Sequence, residues 1–236
     1  MQITPSAAKT ASQPLEGARH SASYSRGMRP WQFVLIGVVA AVVAHLLDGL
    51  VWDTLRDPRV NDRDWGRMLR TMGYVPLWAV LGVGTGLHDR VRGLGPRRGW
   101  LLVGAPLLSG AVAELCKLLL RRLRPNPERF DYVFRAFSDD SWSTRGLGMP
   151  SSHVMVAFAG AAVLSRLFPE TRALWYLLAA GCALTRIMSL GHFLSDTVVA
   201  AFLGVLVASA LMRKWPVGSA TSAFESTGAT AGRSVV

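Results

Sequence analysis

Three short stretches of this 236-residue chain gather side chains able to hold and attack an anion. The first, KLLLRRLRP, runs from Lys117 to Pro125; the second is PSSH, Pro150 to His153; the third, TRIMSLGHFLSD, runs from Thr185 to Asp196. Lys117, Arg124 and Arg186 supply fixed positive charge. Arginine offers paired planar donors and lysine a compact point charge, a combination that suits a phosphate group. Pro150 fits a first helical turn, with Ser151 and Ser152 suited to capping it. A helix start presents free N–H groups and a positive dipole end to an anion, and the two hydroxyls add donors. His192 and Asp196 stand four residues apart, so they share one face if the last helix begins early. A carboxylate bonded to one ring nitrogen would fix the tautomer and leave the other nitrogen to attack. His153 would then be a second imidazole, placed to give a proton to a leaving oxygen.

These residues need elements that carry them to one place. Half of the chain is apolar, only 17% is charged, and the mean hydropathy is positive. The apolar residues lie in blocks that are charge-free or nearly so, at 30–47, 71–88, 99–113, 146–165, 173–185 and 197–212. A membrane span takes about 20 mostly apolar residues. A soluble helical core would show polar helix faces, and WQFVLIGVVAAVVAHLL shows none. The expected fold is therefore all-α: an integral membrane bundle of six transmembrane helices, residues 30–214, between disordered tails at 1–29 and 215–236. The front end makes a poor signal peptide, so the first span is expected to stay. In an alternating six-span topology the three polar clusters fall on one membrane face. Lys/Arg counts on the two sides tie; the dense HDRVRGLGPRR loop at 88–98 places both termini on the cytoplasmic side.

Several features have plainer explanations. The net charge of +11 comes mostly from basic residues flanking apolar blocks, which suits anionic lipid head groups rather than nucleic acid. Cys116 and Cys182 fall in or beside spans and do not form a disulfide framework. GVGTG at 82–86 lacks the strand–turn–helix setting of a nucleotide loop. His45 and Asp48 stand i, i+3 in the first span with nothing converging on them, and Glu114 pairs with Lys117 or Arg121. Two histidines and an aspartate could ligate a metal, but three nearby cations would repel a divalent ion; no metal and no cofactor are expected. Phe130, Val133, Phe134 and Phe137 follow a helical spacing and predict a short amphipathic helix at the interface.

The ordered set Lys117-x6-Arg124-Pro125, Pro150-Ser151-Ser152-His153 and Arg186-x5-His192-x3-Asp196 resembles the type 2 phosphatidic acid phosphatase superfamily. There are two departures: the second motif usually reads Pro-Ser-Gly-His, with Ser152 here in the glycine's place, and Thr185 replaces a serine. The resemblance implies a two-step phosphoryl transfer without metal. His192 attacks phosphorus to form a phosphohistidine, Asp196 orients it, and His153 protonates the departing alcohol and then activates water. Lys117, Arg124, Arg186, Ser151 and Ser152 hold the equatorial oxygens. Six spans imply a phosphorylated lipid as partner: a phosphatase hydrolysing the phosphomonoester or diphosphate of a lipid in a bacterial inner membrane, its site on the periplasmic face. A lipid phosphotransferase using the same histidine, and a non-catalytic anion binder or transporter, remain the alternatives.

Overall fold

The computed structural model describes residues 29–215. Seven helices account for most of them: α1 (Pro30–Leu55), α2 (Asp64–Thr71), α3 (Val75–Val91), α4 (Arg97–Leu120), α5 (Ser152–Leu167), α6 (Arg172–Met188) and α7 (Leu194–Lys214). No β-strand occurs among the described residues, only two isolated bridges, Arg122 with Phe134 and Leu123 with Leu147. Both expected tails fall essentially outside the described residues.

Three helices are long and apolar enough to cross a membrane: α1 with 26 residues, α4 with 24 and α7 with 21. At 1.5 Å per residue α1 reaches about 39 Å, more than the roughly 30 Å of a hydrocarbon core. It leaves Val34, Leu35, Val38, Val39, Val42 and Leu46 exposed. A continuous apolar face of this kind matches lipid rather than water. The other three apolar blocks form the shorter helices α3, α5 and α6, of 17, 16 and 17 residues. Helix α5 is short because residues 146–151 of its block do not join it. A residue preceding proline is driven out of the helical region, and here that residue is Met149.

Helix α5 is the axis of the fold. It packs against α4, α6 and α7, and Val154 to Ala157, Ala159 and Ala161 to Leu164 are buried. Its small residues allow close neighbours. The indole of Trp78 on α3 lies where a side chain on Gly160 would stand, and its Nε1 donates to the Met72 carbonyl at 2.8 Å. Helix α1 lies outside this core against α7, with Phe33 and Phe202 rings 5.1 Å apart.

One end of the bundle collects the polar chain. The Asp57 N–H, just past α1, donates to the Met188 carbonyl at the end of α6 at 2.9 Å. Trp52 near the end of α1 donates to the Asn126 carbonyl in the loop after α4. That loop is not the amphipathic helix predicted for residues 130–137. Its backbone instead pairs sideways, Leu123 N–H to the Val133 carbonyl and Arg135 N–H to the Arg121 carbonyl, at 2.8 and 2.9 Å. Those donors are then lost to a helix. The buried Arg121 guanidinium fixes the same loop through the carbonyls of Arg135, Ala136, Asp139 and Ser141.

Candidate active site

Each sequence cluster sits at a helix end on that polar side. Lys117 is in the last turn of α4, Ser151 holds the N-cap position of α5 without a side-chain capping bond, Ser152 and His153 open that helix, and Arg186 lies in the last turn of α6. His192 stands in the turn before α7, and Asp196 lies in the first turn of α7. Contacts between the clusters join them. Lys117 Nζ lies 2.5 Å from Ser152 Oγ, and the Ser151 N–H donates to the Asp196 carbonyl at 3.4 Å. The Arg186 guanidinium packs against Gly191, leaving no space there for a side chain. The Arg124 N–H donates to the Gly146 carbonyl at 3.1 Å, which ties the first motif to the loop leading into the second.

The orientation of His192 differs from the expected one. Its Nδ1 lies 2.7 Å from the Gly148 carbonyl, and the Asp196 carboxylate stands 4.0 Å away. A carbonyl only accepts, so Nδ1 carries the proton and Nε2 has a free lone pair. The backbone thus sets the tautomer assigned above to the carboxylate. Asp196 Oδ2 instead accepts the Phe193 N–H at 2.9 Å and holds the start of α7. Helix α7 begins after His192, which is why the two do not share a helical face. Burial holds the His192 imidazole well below its ordinary pKa, and Arg186, Arg124 and Lys117 push the same way; the Gly148 bond opposes them. The ring is neutral near pH 7.

The hydroxyls divide. Ser152 Oγ is committed to Lys117 and, at 2.8 Å, to Glu114, which also pairs with Lys117 at 2.7 Å. Ser152 therefore buttresses the lysine instead of pointing a free hydroxyl at the site. Thr185 Oγ1 bonds the Cys182 carbonyl of its own helix. Ser151 Oγ, Arg186 Nε and His153 Nε2, by contrast, are buried and have no partner. A buried polar group left unpaired costs about 1–3 kcal/mol. Two donors and an imidazole in this state, with Lys117 in electrostatic reach of the imidazole, are groups that an anion could satisfy. Among the described residues, no three of His, Cys, Asp and Glu gather closely enough to hold a metal ion.

A second layer escaped the sequence reading. Asp48, dismissed above as isolated, is 1% exposed. It accepts from Ser195, from the Tyr132 hydroxyl at 3.0 Å and from Arg122 at 3.3 Å. Arg122 also donates to Ser195 Oγ at 3.0 Å and lies 3.5 Å from Asp196 Oδ1. Its guanidinium lies over the Tyr132 and Phe193 rings, 4.4 Å from each centroid, and those two rings meet edge-on 5.0 Å apart. Burial and Asp48 push the Tyr132 hydroxyl up to about 12, so it remains a donor. The available signal was Asp48 itself: a carboxylate deep in an apolar span is costly unless partnered.

A family model described as the PAP2 superfamily matches residues 98–217, which includes α4 to α7 and every motif residue named above. No curated protein and no solved structure gives a match.

Proposed function

This chain belongs to the PAP2 superfamily, the type 2 phosphatidic acid phosphatases, and on that premise we propose that it is a membrane enzyme hydrolysing a phosphorylated lipid through a phosphohistidine. The observation that carries this reading is the state of His192. Its Nδ1 is tied to the Gly148 carbonyl, its ring is neutral, and Nε2 is free beside buried donors that lack partners.

In the proposed reaction Nε2 attacks phosphorus. Arg186, Arg124 and Lys117 hold the equatorial oxygens with Ser151 Oγ, stabilising the charge that builds there. His153 enters the step as imidazolium, a state that the bound substrate's negative charge favours, and the alkoxide leaves with the bonding electrons and takes its proton. Water, giving a proton back to His153, then attacks the phosphohistidine, releases inorganic phosphate and restores His192. Ser152 acts on this sequence only through Lys117. Asp196, 4.0 Å from the ring, stabilises the charge that His192 gains on phosphorylation.

The lipid assignment draws on the setting. The ends of α1, α4 and α6 and the starts of α5 and α7 lie on the site's side, as six alternating spans require. We place all six apolar helices across the bilayer of a bacterial inner membrane, with the site at its periplasmic face. A head group at that level reaches the cations while its chains stay in hydrocarbon. The test is phosphate release by the detergent-purified protein from phosphatidate, phosphatidylglycerol phosphate and polyprenyl phosphates. Release from at least one, lost in His192→Ala, is expected; release from none rejects the reading.

A further inference from the structure

A fourth cation, Arg70, reaches this site from outside the region that the family model matches. Arg70 lies in the last turn of α2, an eight-residue helix packed on α6, and its carbonyl accepts from Cys182 Sγ. The corner that follows runs directly over His153. A side chain on Gly73 would strike the Cβ and ring of His153, and the Tyr74 ring meets the imidazole edge-on, centroids 5.1 Å apart. The Arg70 guanidinium lies over the Tyr74 ring at 5.7 Å, and its buried Nε has no partner. It stands within electrostatic reach of both His153 and Arg186.

Charge balance makes this arginine hard to explain as structure. Lys117 has the Glu114 carboxylate beside it. Among the described residues, neither Arg70 nor Arg124 nor Arg186 forms an ion pair with a carboxylate. Three such cations in one partly desolvated place repel one another unless an anion joins them. Position then decides which part of the anion Arg70 meets. Attack by His192 and departure of the leaving group occur in line, on opposite sides of phosphorus. His153 marks the departing side, and Arg70 lies with His153.

We propose that Arg70 binds the leaving group, and that the leaving group is itself anionic: the bond broken is the phosphoanhydride of a lipid diphosphate. This rests on the phosphatase reading above. His192 Nε2 bonds to the terminal phosphorus and the bond from that phosphorus to the bridging oxygen breaks. The bridging oxygen keeps the electron pair, takes the His153 proton and departs as lipid monophosphate, with Arg70 on its oxygens. Water then hydrolyses the phosphohistidine to inorganic phosphate.

The experiment compares farnesyl diphosphate, farnesyl monophosphate and dioleoyl phosphatidate with the wild-type protein and Arg70→Gln in detergent. Wild type is expected to favour the diphosphate in kcat/KM. In Arg70→Gln the diphosphate-to-monophosphate preference should fall about tenfold or more, the scale of one lost charge-assisted contact. An unchanged preference overturns the proposal. So does a wild-type protein that cleaves only the monophosphate or phosphatidate, which leaves the phosphatase reading standing. Cleavage of none of the three overturns this proposal, and the phosphatase reading falls with it only if phosphatidylglycerol phosphate is not cleaved either. If Arg70→Gln does not fold, inhibition of the wild type decides. Methylenediphosphonate should bind about tenfold or more tighter than methylphosphonate on the same contact argument; equal inhibition overturns the proposal.

Discussion

The Asp48 carboxylate holds both donors of Ser195: Oδ1 accepts the backbone N–H at 2.8 Å and Oδ2 accepts the hydroxyl at 2.6 Å. The first N–H groups of a helix have no partner within it. A side chain from α1 therefore caps α7, three residues after His192. Arg122, bonded to the same carboxylate and close to Asp196, stiffens the joint.

Replacing Asp48 with Asn should loosen that joint. The amide would turn N–H groups toward Arg122 or Ser195, and breaking a buried pair costs about 3–5 kcal/mol. Both a lower thermal midpoint in detergent and a lower kcat with KM nearly unchanged are expected, since no phosphate ligand is removed. Asp48→Glu, which keeps the charge, should recover part of both. A variant with wild-type midpoint and kcat would show that the cap does not position His192.

The two histidines should separate by leaving group. A general acid contributes about 10²–10⁴-fold where the leaving oxygen is a poor one. His153→Ala should therefore lose that much on an alkyl phosphate and far less on 4-nitrophenyl phosphate, whose phenolate leaves unaided. His192→Ala should fail on both. Equal losses for His153→Ala on the two substrates would take the acid role away from it.

What was legible in the chain was the position of chemistry at the ends of apolar runs. Lys117, Ser151, His153, Arg186, His192 and Asp196 each stand at such an end, and alternation of helices brings such ends together. The Gly148 carbonyl was not legible, because a backbone acceptor leaves no residue type to read. Asp48 was visible but unpaired in sequence, its partner Ser195 lying 147 residues away. The 130–137 segment carries a helical apolar spacing, yet its N–H and C=O groups are drawn to residues 121–123, and tertiary pairing prevails over pattern. Ser152 could be read as a phosphate donor from its motif position; only the contact with Lys117 and Glu114 shows where its hydroxyl is spent.

The neutral state of His192 makes a pH prediction. Its pKa in the folded protein lies well below the ordinary 6.5, because burial and Arg186, Arg124 and Lys117 disfavour the imidazolium. As pH falls below about 6.5 the unfolded chain takes up this proton before the folded one, so acid removes stability through His192. The neutral form of the ring persists over the same interval. In protein labelled at histidine ring carbons, the resonance missing from His192→Ala should remain that of neutral imidazole at pH 6. A resonance titrating at 6.5 or above would contradict the buried, cation-flanked setting.

The last prediction concerns which loops share a side. Lys117 and Ser152 are in contact although α4 and α5 are joined by a 31-residue loop, so that loop must begin and end at the site's side. The turn between α3 and α4, with Gly95, lies at the other end of α4. Helix α4 is 24 residues long, about 36 Å, enough to separate its two ends by a bilayer. Single cysteines at Gly95 and Ser141, in a background lacking Cys116 and Cys182, should react oppositely with an impermeant thiol reagent added to sealed, oriented vesicles. With the site on the periplasmic face, Ser141→Cys is labelled in intact cells once the outer membrane is permeabilised, and Gly95→Cys only after lysis. The reverse pattern would move the site to the cytoplasmic face and leave the bundle as drawn. Labelling of both from one side would mean that α4 does not cross, and a site assembled at one face by alternating spans would fall with it.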